Sequence, residues 1–317
     1  MGGGRDEGTA VLDERALNRA LLARQMLLHR HKRSAIKTIE HLVGMQAQIP
    51  NNPYIGLWTR LDGFRPEELS RLITERKAVR LALMRSTIHL VSARDSLSLR
   101  PVVQPTLDRS FHGSPFAPAV AGINSSALIA AARKILEERP RTTAQLGKLL
   151  QQRWPGRDAT SLAYAIRSLL PLIQVPPRGT WGGTGASTHT TADSWLGRAL
   201  GSDASADVMV MRYLRAYGPS TVADAHAWSG VPGLRETVER LRPRLLTFRD
   251  RLDPMPARRH CRGSCPSTTT SCSRTPTARA SSRTRTESVA ESVGRRCSST
   301  GSFARPGGSS DRRVKRR

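Results

Sequence analysis

The chain has 317 residues, with 51 Lys and Arg against 25 Asp and Glu and a formal net charge of +26. That length admits two or more domains with real cores, and the charge exceeds what solubility requires, so a polyanionic partner is expected, nucleic acid first. No run approaches the ~18 apolar residues of a membrane span, and "MGGGRDEGTAVLDERALNRALL" has no apolar core of a signal peptide, so a cytoplasmic, nucleoid-associated protein is expected.

Residues 12–30, "LDERALNRALLARQMLLHR", predict an amphipathic helix with Leu17, Leu21 and Leu28 at helical spacing. Ser34 is placed to cap a second helix over 35–45, ending near Gln46-Ala47-Gln48, because Pro50 and Pro53 forbid continuation. "RPEELSRLITERKAVRLALM" predicts another helix, with Pro66 in its first turn. "TIHLVSA" alternates and is β-branched, so it predicts a strand. Extended upstream, the same alternation puts Arg85, Thr87 and His89 on one face.

The pattern then recurs. "PRTTAQLGKLLQQRW" predicts a helix capped by Thr142 or Thr143, and "RDATSLAYAIRSLLPL" a second one capped by Asp158. "IQVPPRGTWGGTGASTHTTADSWL" reads as strand, Gly-rich turn and strand, with Arg178 near the tip. In the third copy a helix ends at Gly218-Pro219. Ser220 or Thr221 caps a helix reaching Trp228, Gly230 breaks it, Leu234–Leu241 is the recognition helix and "RLLTFRD" starts a wing. Helix-turn-helix followed by a hairpin is the winged-helix plan. The expected fold class is mainly α with small β wings, in tandem winged-helix units over residues 11–118, 122–200 and 204–254, the third with an incomplete wing.

From about Met255 the pattern stops. Residues 255–317 carry 15 Lys and Arg against 3 Asp and Glu, and have few aliphatic side chains. One reading is a disordered basic tail. The preferred reading is a shifted reading frame, since GC-rich coding DNA read out of frame yields Arg, Ser, Thr, Pro, Ala and Cys in such mixtures. All four cysteines, Cys261, Cys265, Cys272 and Cys297, lie in this segment. With His260 they fit no common zinc spacing, so no metal site is expected.

Three stretches, "GMQAQIPNNPYIGLWTRL", "VRLALMRSTIHLVSARDSLSLRP" and "YGPSTVADAHAWSG", together resemble a family of bacterial winged-helix proteins. It is the family that includes the azinomycin-resistance DNA glycosylase and its crosslink-unhooking relatives. The resemblance covers roughly residues 11–250. A neighbouring frame of the tail permits a string containing "LPEYDN", which is similar to that family's C-terminal region. The resemblance implies tandem winged helices and a C-terminal β-barrel around a basic channel for duplex DNA, the barrel being lost here. It also implies a catalytic motif that is Gln-x-Gln in one branch and Gln-x-Asp in another, and Gln46-Ala47-Gln48 matches the first.

A carboxamide is no general base, but it donates and accepts hydrogen bonds at once. An N7-alkylated guanine already carries positive charge and leaves readily. What remains is to position a water and stabilise an oxocarbenium-like sugar, a task suited to two fixed carbonyl oxygens. The other reading of Gln46 and Gln48 is a solvated helix end. Arg85, Thr87, His89, Arg178 and Arg235 are candidate DNA contacts, each with the alternative of a plain polar surface. Arg240 is weighed in the same way. Tyr54 and Trp58, and His226 and Trp228, are expected in cores. The expected partner is double-stranded DNA, alkylated or crosslinked, bound by a monomer with no cofactor and no obligate protein partner. Two further readings stay open: a non-catalytic winged-helix DNA-binding protein, and an inactive truncated remnant.

Overall fold

The computed structural model describes residues 11–250 and 253–261, all within one compact unit. In chain order the elements are β1 (Val11–Leu12), α1 (Glu14–Arg24), α2 (Ala35–His41), β2 (Met45–Gln46), α3 (Asn52–Trp58), α4 (Pro66–Thr74), β3 (Ala78–Ala82), β4 (Ile88–Ser92), α5 (Ala93–His112) and α6 (Ser125–Glu138). There follow β5 (Arg141–Thr142), α7 (Thr143–Arg153), α8 (Ala159–Leu169), β6 (Leu172–Gln174), β7 (Thr188–Thr191), α9 (Ala192–Leu196), α10 (Asp207–Tyr217), α11 (Val222–Ser229), α12 (Leu234–Leu241), β8 (Leu245–Asp250) and β9 (Asp253–Cys261). Helices predominate among the described residues. No helix among them is long and apolar enough to cross a membrane.

The later helices start and stop where local chemistry dictates. Thr142 caps α7 in a capping box with Gln145, and Asp158 caps α8 by accepting from the Ser161 N–H at 2.7 Å. Thr221 caps α11 through a box with Asp224, and left-handed Gly230 ends it. α12 occupies Leu234–Leu241 as expected, burying Leu234, Val238 and Leu241 and exposing Arg235.

The first unit departs most from expectation. α1 is capped by Asp13 but stops at Arg24, and Met26 turns back with φ +60, so residues 27–30 are not helical. α2 ends at His41 because Val43 (φ +56) and Gly44 (φ +98) reverse the chain. The Gly44 N–H reaches the Ile39 carbonyl at 2.9 Å, closing the helix. Gln46 therefore lies in the short strand β2, and the expected helix over 35–45 is corrected. The predicted helix over 65–84 is likewise two elements: α4 ends at Thr74, Arg76 adopts φ +59, and β3 follows. β3 has Ala78, Val79, Arg80 and Leu81 buried on both faces, so its apolar run carries no helical period.

β2, β4, β3, β6, β7 and β5 form one six-stranded antiparallel sheet in that order. The hairpins of the first and second expected units therefore share a sheet, joined where Arg80 pairs with Gln174 and Leu81 with Ile173. A second sheet, β1-β8-β9, pairs the start of the described chain with the third unit. β9 runs to Cys261, so the start of the expected tail lies in a strand, with Arg258, Arg259, His260 and Cys261 paired to β8. The rest of that tail lies outside the described residues.

α5 crosses behind the sheet and contains Pro101 and Pro105. Pro101 has no N–H for the Leu97 carbonyl, which accepts instead from Gly201 at 3.1 Å. A buried ion pair fixes α5 to α10: Arg212 grips Asp95 with bonds of 2.9 and 2.5 Å and also donates to the Glu40 carbonyl. One core packs the sheet on α5, α10 and α12, a second fills the space between α2, α3, α4 and the sheet, and a third lies among α6, α7 and α8.

Candidate active site

Gln46-Ala47-Gln48 sits at the edge of the six-stranded sheet. Gln46 pairs in register with His89 of β4. The Ala47 N–H donates to the Ile88 carbonyl at 2.8 Å, and Ala47 itself is fully buried. Gln48 then turns its side chain back, and its Oε1 accepts from the Ile88 N–H at 2.9 Å. The carboxamide thus extends the ladder by one bond beyond the end of β2. Gln46 and Gln48 are both exposed, and Gln46 makes no side-chain hydrogen bond among the described residues. The two glutamines are therefore not equivalent: one is tied to the sheet, the other is free.

Arg85, Thr87 and His89 do not share a strand face. Arg85 lies in a 3-10 turn over Met84–Ser86 with φ +52, exposed, and its Nη1 donates to the Trp228 carbonyl at 2.6 Å. Thr87 closes that turn, its hydroxyl donating to the Met84 carbonyl at 3.1 Å. Only His89 is in the strand, where it is 4% exposed. Burial pulls its imidazole down to about 4, with its Nδ1 3.0 Å from the Thr87 carbonyl. A neutral, enclosed ring is poorly suited to a phosphate; His89 is instead the cross-strand neighbour of Gln46.

Arg178 is in the loop between β6 and β7, half-buried, and donates to the Gly185 carbonyl at 3.2 Å. Tyr54 is in the core as expected, its hydroxyl donating to the Gly179 carbonyl at 2.8 Å. Trp58 is not: it is 54% exposed, with the Arg30 guanidinium 4.3 Å above its ring. Trp228 packs on Tyr213 and Tyr217, whereas His226 is exposed and reaches the Val231 carbonyl. Arg240 bonds Asp207.

Two further groups stand out in the structure. The first is Arg80, buried in β3, whose Nη2 donates to the Ala47 carbonyl at 2.7 Å. The second is the all-basic run His29-Arg30-His31-Lys32-Arg33 between α1 and α2, exposed except for His31 and joined to α3 through Arg30 over Trp58. Ile49 and Ile55 expose apolar surface on the same stretch of chain as Trp58. The run was visible as five consecutive basic or titratable residues. Arg80 was hidden inside a segment read as helix.

The chain matches the AlkZ-like family of DNA glycosylases over residues 39–270, well over half its length. It belongs to that family. The matched region contains Gln46-Ala47-Gln48 and the whole six-stranded sheet. Among solved structures, the DNA glycosylase AlkZ of Streptomyces sahachiroi shares the fold, with a TM-score of 0.61 at 19% identity, over 79% of this chain and 70% of that one. No curated protein matches in sequence.

Proposed function

We propose that this AlkZ-like chain is a monofunctional DNA glycosylase that hydrolyses the N-glycosidic bond of N7-alkylated guanine in duplex DNA, with crosslinked guanines in the same substrate class. The observation that carries the reading is the pair of exposed carboxamides at the sheet edge, in a chain of a DNA glycosylase family. Gln46, unbonded, holds the attacking water. Gln48 keeps its amide N–H groups and a second lone pair on Oε1 for the same water or for the sugar. As the water oxygen bonds C1′, the C1′–N9 pair leaves with the purine and neutralises its N7 charge, and the water proton passes to solvent. Carboxamide oxygens stabilise the oxocarbenium-like sugar without trapping it as a tight ion pair.

The units over 11–118, 122–200 and 204–254 are read as tandem winged helices, supported by the order α7-α8-β6-β7 and α11-α12-β8-β9. Exposed Arg85 and Arg235, half-buried Thr87 and Arg178, and the run 29–33 are read as contacts to the duplex. A regulator that binds DNA without cleaving it is the second reading, favoured by the exposed Arg235 face of α12. Free 7-methylguanine released from N7-methylated duplex by the wild type, and lost in the Gln46→Ala/Gln48→Ala double variant, is the expected result. Equal release by both proteins would rule the site out.

The final segment is read as out of frame, a reading supported by its composition. Resequencing the gene across the codons for 245–285 tests this, and an unbroken frame there would end it.

A further inference from the structure

β3 is a buried strand whose side chains are apolar except for Arg80, which is 2% exposed. Among the described residues no carboxylate pairs with it. The ionisable groups near it are Arg178, Tyr54 and His189, and its pKa is pulled down to about 10 by burial and then by the Arg178 charge. It stays protonated at neutral pH. Of its donors, Nη2 bonds the Ala47 carbonyl, while Nε and Nη1 have no partner among the described residues. Gln174 lies opposite in register, and its Oε1 is also unpartnered. A buried charge without a counter-ion is costly, and an apolar side chain of similar size would serve the fold better. What Arg80 provides instead lies in the two groups it touches.

The first is Ala47, the centre of the motif. Its N–H is held by Ile88 and its carbonyl by Arg80, so the peptide units on both sides of it are fixed. Those two peptides set where the Gln46 and Gln48 side chains start. The second is Gly179, in the loop between β6 and β7. A Cβ there would lie 2.6 Å from Nη1 and 2.7 Å from Cδ of Arg80, so the loop backbone rests directly on the guanidinium. That loop is fastened on its far side by Tyr54, bonded to the Gly179 carbonyl, and by the Trp181 N–H, bonded to Ser70 at 2.9 Å. It also carries Arg178, a proposed DNA contact.

We propose that Arg80 is a positioning residue for Gln46-Ala47-Gln48, clamped between the Ala47 carbonyl and the Gly179 backbone so that the 176–187 loop and the glutamine pair move as one piece. Its catalytic consequence rests on the glycosylase reading above; its structural content does not. Reacting groups misplaced by about 1 Å can lose on the order of 100-fold in rate, and loosening peptide 47 displaces both carboxamides together.

The test compares Arg80→Met, Arg80→Lys and Gly179→Ala with wild type. Three readouts are taken: amide hydrogen exchange at Ala47, single-turnover 7-methylguanine release, and affinity for undamaged duplex. Arg80→Met is expected to speed Ala47 exchange about tenfold and slow base release ~100-fold, with duplex affinity within about twofold and a Tm close to wild type, since removing an unpaired buried charge offsets the loss of the donor to the Ala47 carbonyl. A merely structural arginine would lower the Tm and the duplex affinity along with activity. Arg80→Lys, which keeps the charge and one donor nitrogen, should recover part of both exchange protection and rate. Gly179→Ala should slow release by pressing on the guanidinium while leaving its charge in place, and it carries the test if Arg80→Met fails to fold. Wild-type exchange at Ala47 in Arg80→Met overturns the proposal. If wild type itself releases no base, the glycosylase reading falls while the exchange result still decides the role of Arg80.

Discussion

The inequality of the two glutamines makes a prediction that separates stability from chemistry. In Gln48→Ala the Ile88 N–H loses its acceptor at 2.9 Å in a strand whose residues are all buried. An unsatisfied buried donor costs about 1–3 kcal/mol. For a unit of this size each kcal/mol moves the Tm by about 2–4 °C, so the variant should melt several degrees below wild type. Gln46→Ala removes an exposed side chain with no hydrogen bond, a change worth within about 0.5 kcal/mol, and should melt with wild type. Both should lose base release, by about 100-fold or more if each carboxamide contacts the reacting atoms. Gln48→Glu keeps an acceptor of the same reach and should restore the melting temperature. Calorimetry on the four proteins, beside single-turnover release, decides. A wild-type Tm for Gln48→Ala, or an equal loss in Gln46→Ala, would refute the division of roles.

Two further outcomes follow from charge. His89 and His189 are both buried and pulled down to about 4, chiefly by desolvation. Their folded pKa lies below the unfolded value, so between pH 6.5 and about 4 the unfolded chain binds more protons. Stability should fall as pH drops through that window, by up to on the order of 3 kcal/mol per histidine; a Tm flat from pH 7 to 4.5, or no flattening in His89→Asn, would contradict their buried neutral state. For the run 29–33, the Arg30→Gln/Lys32→Gln/Arg33→Gln variant should make the slope of log Kobs against log salt less negative. The change should be about 0.9 for each phosphate that is no longer neutralised, roughly two or three in all. An unchanged slope would remove that run from the interface.

Legibility along the chain followed the locality of the signal. α7, α8, α11 and α12 were readable because their starts and stops are written within four residues: the Thr142–Gln145 and Thr221–Asp224 boxes, Asp158, and Gly230. α5 has no local helix signature because it holds two prolines, and the carbonyl that Pro101 leaves free is taken by Gly201, a hundred residues on. β3 reads as part of a helix because a strand buried on both faces shows no alternation. The joining of two hairpins into one sheet had no local sign at all, since its pairs, Arg80 with Gln174 and Leu81 with Ile173, are more than ninety residues apart.

The glutamine motif was legible as residues and illegible as geometry. Its placement at a helix end failed at Val43 and Gly44, where two positive φ angles turn the chain into a strand. Val43 gives no warning of this, because a β-branched residue rarely adopts that conformation. Gly44 gives a partial one: its Cβ would fall 2.5 Å from Val91 Cγ1, so the turn must press against β4, and β2 must then pair with it. Once that pairing exists, everything else at the site follows by register. Gln46 meets His89, Gln48 reaches past the strand end to Ile88, and Ala47 presents its carbonyl to the next strand but one, where Arg80 is the residue in reach. A side chain that acts on a site through two ladders cannot be found by scanning outward from the motif along the chain; it can be found by asking which buried donor has no acidic partner, and among the strands of the six-stranded sheet that question leads to Arg80.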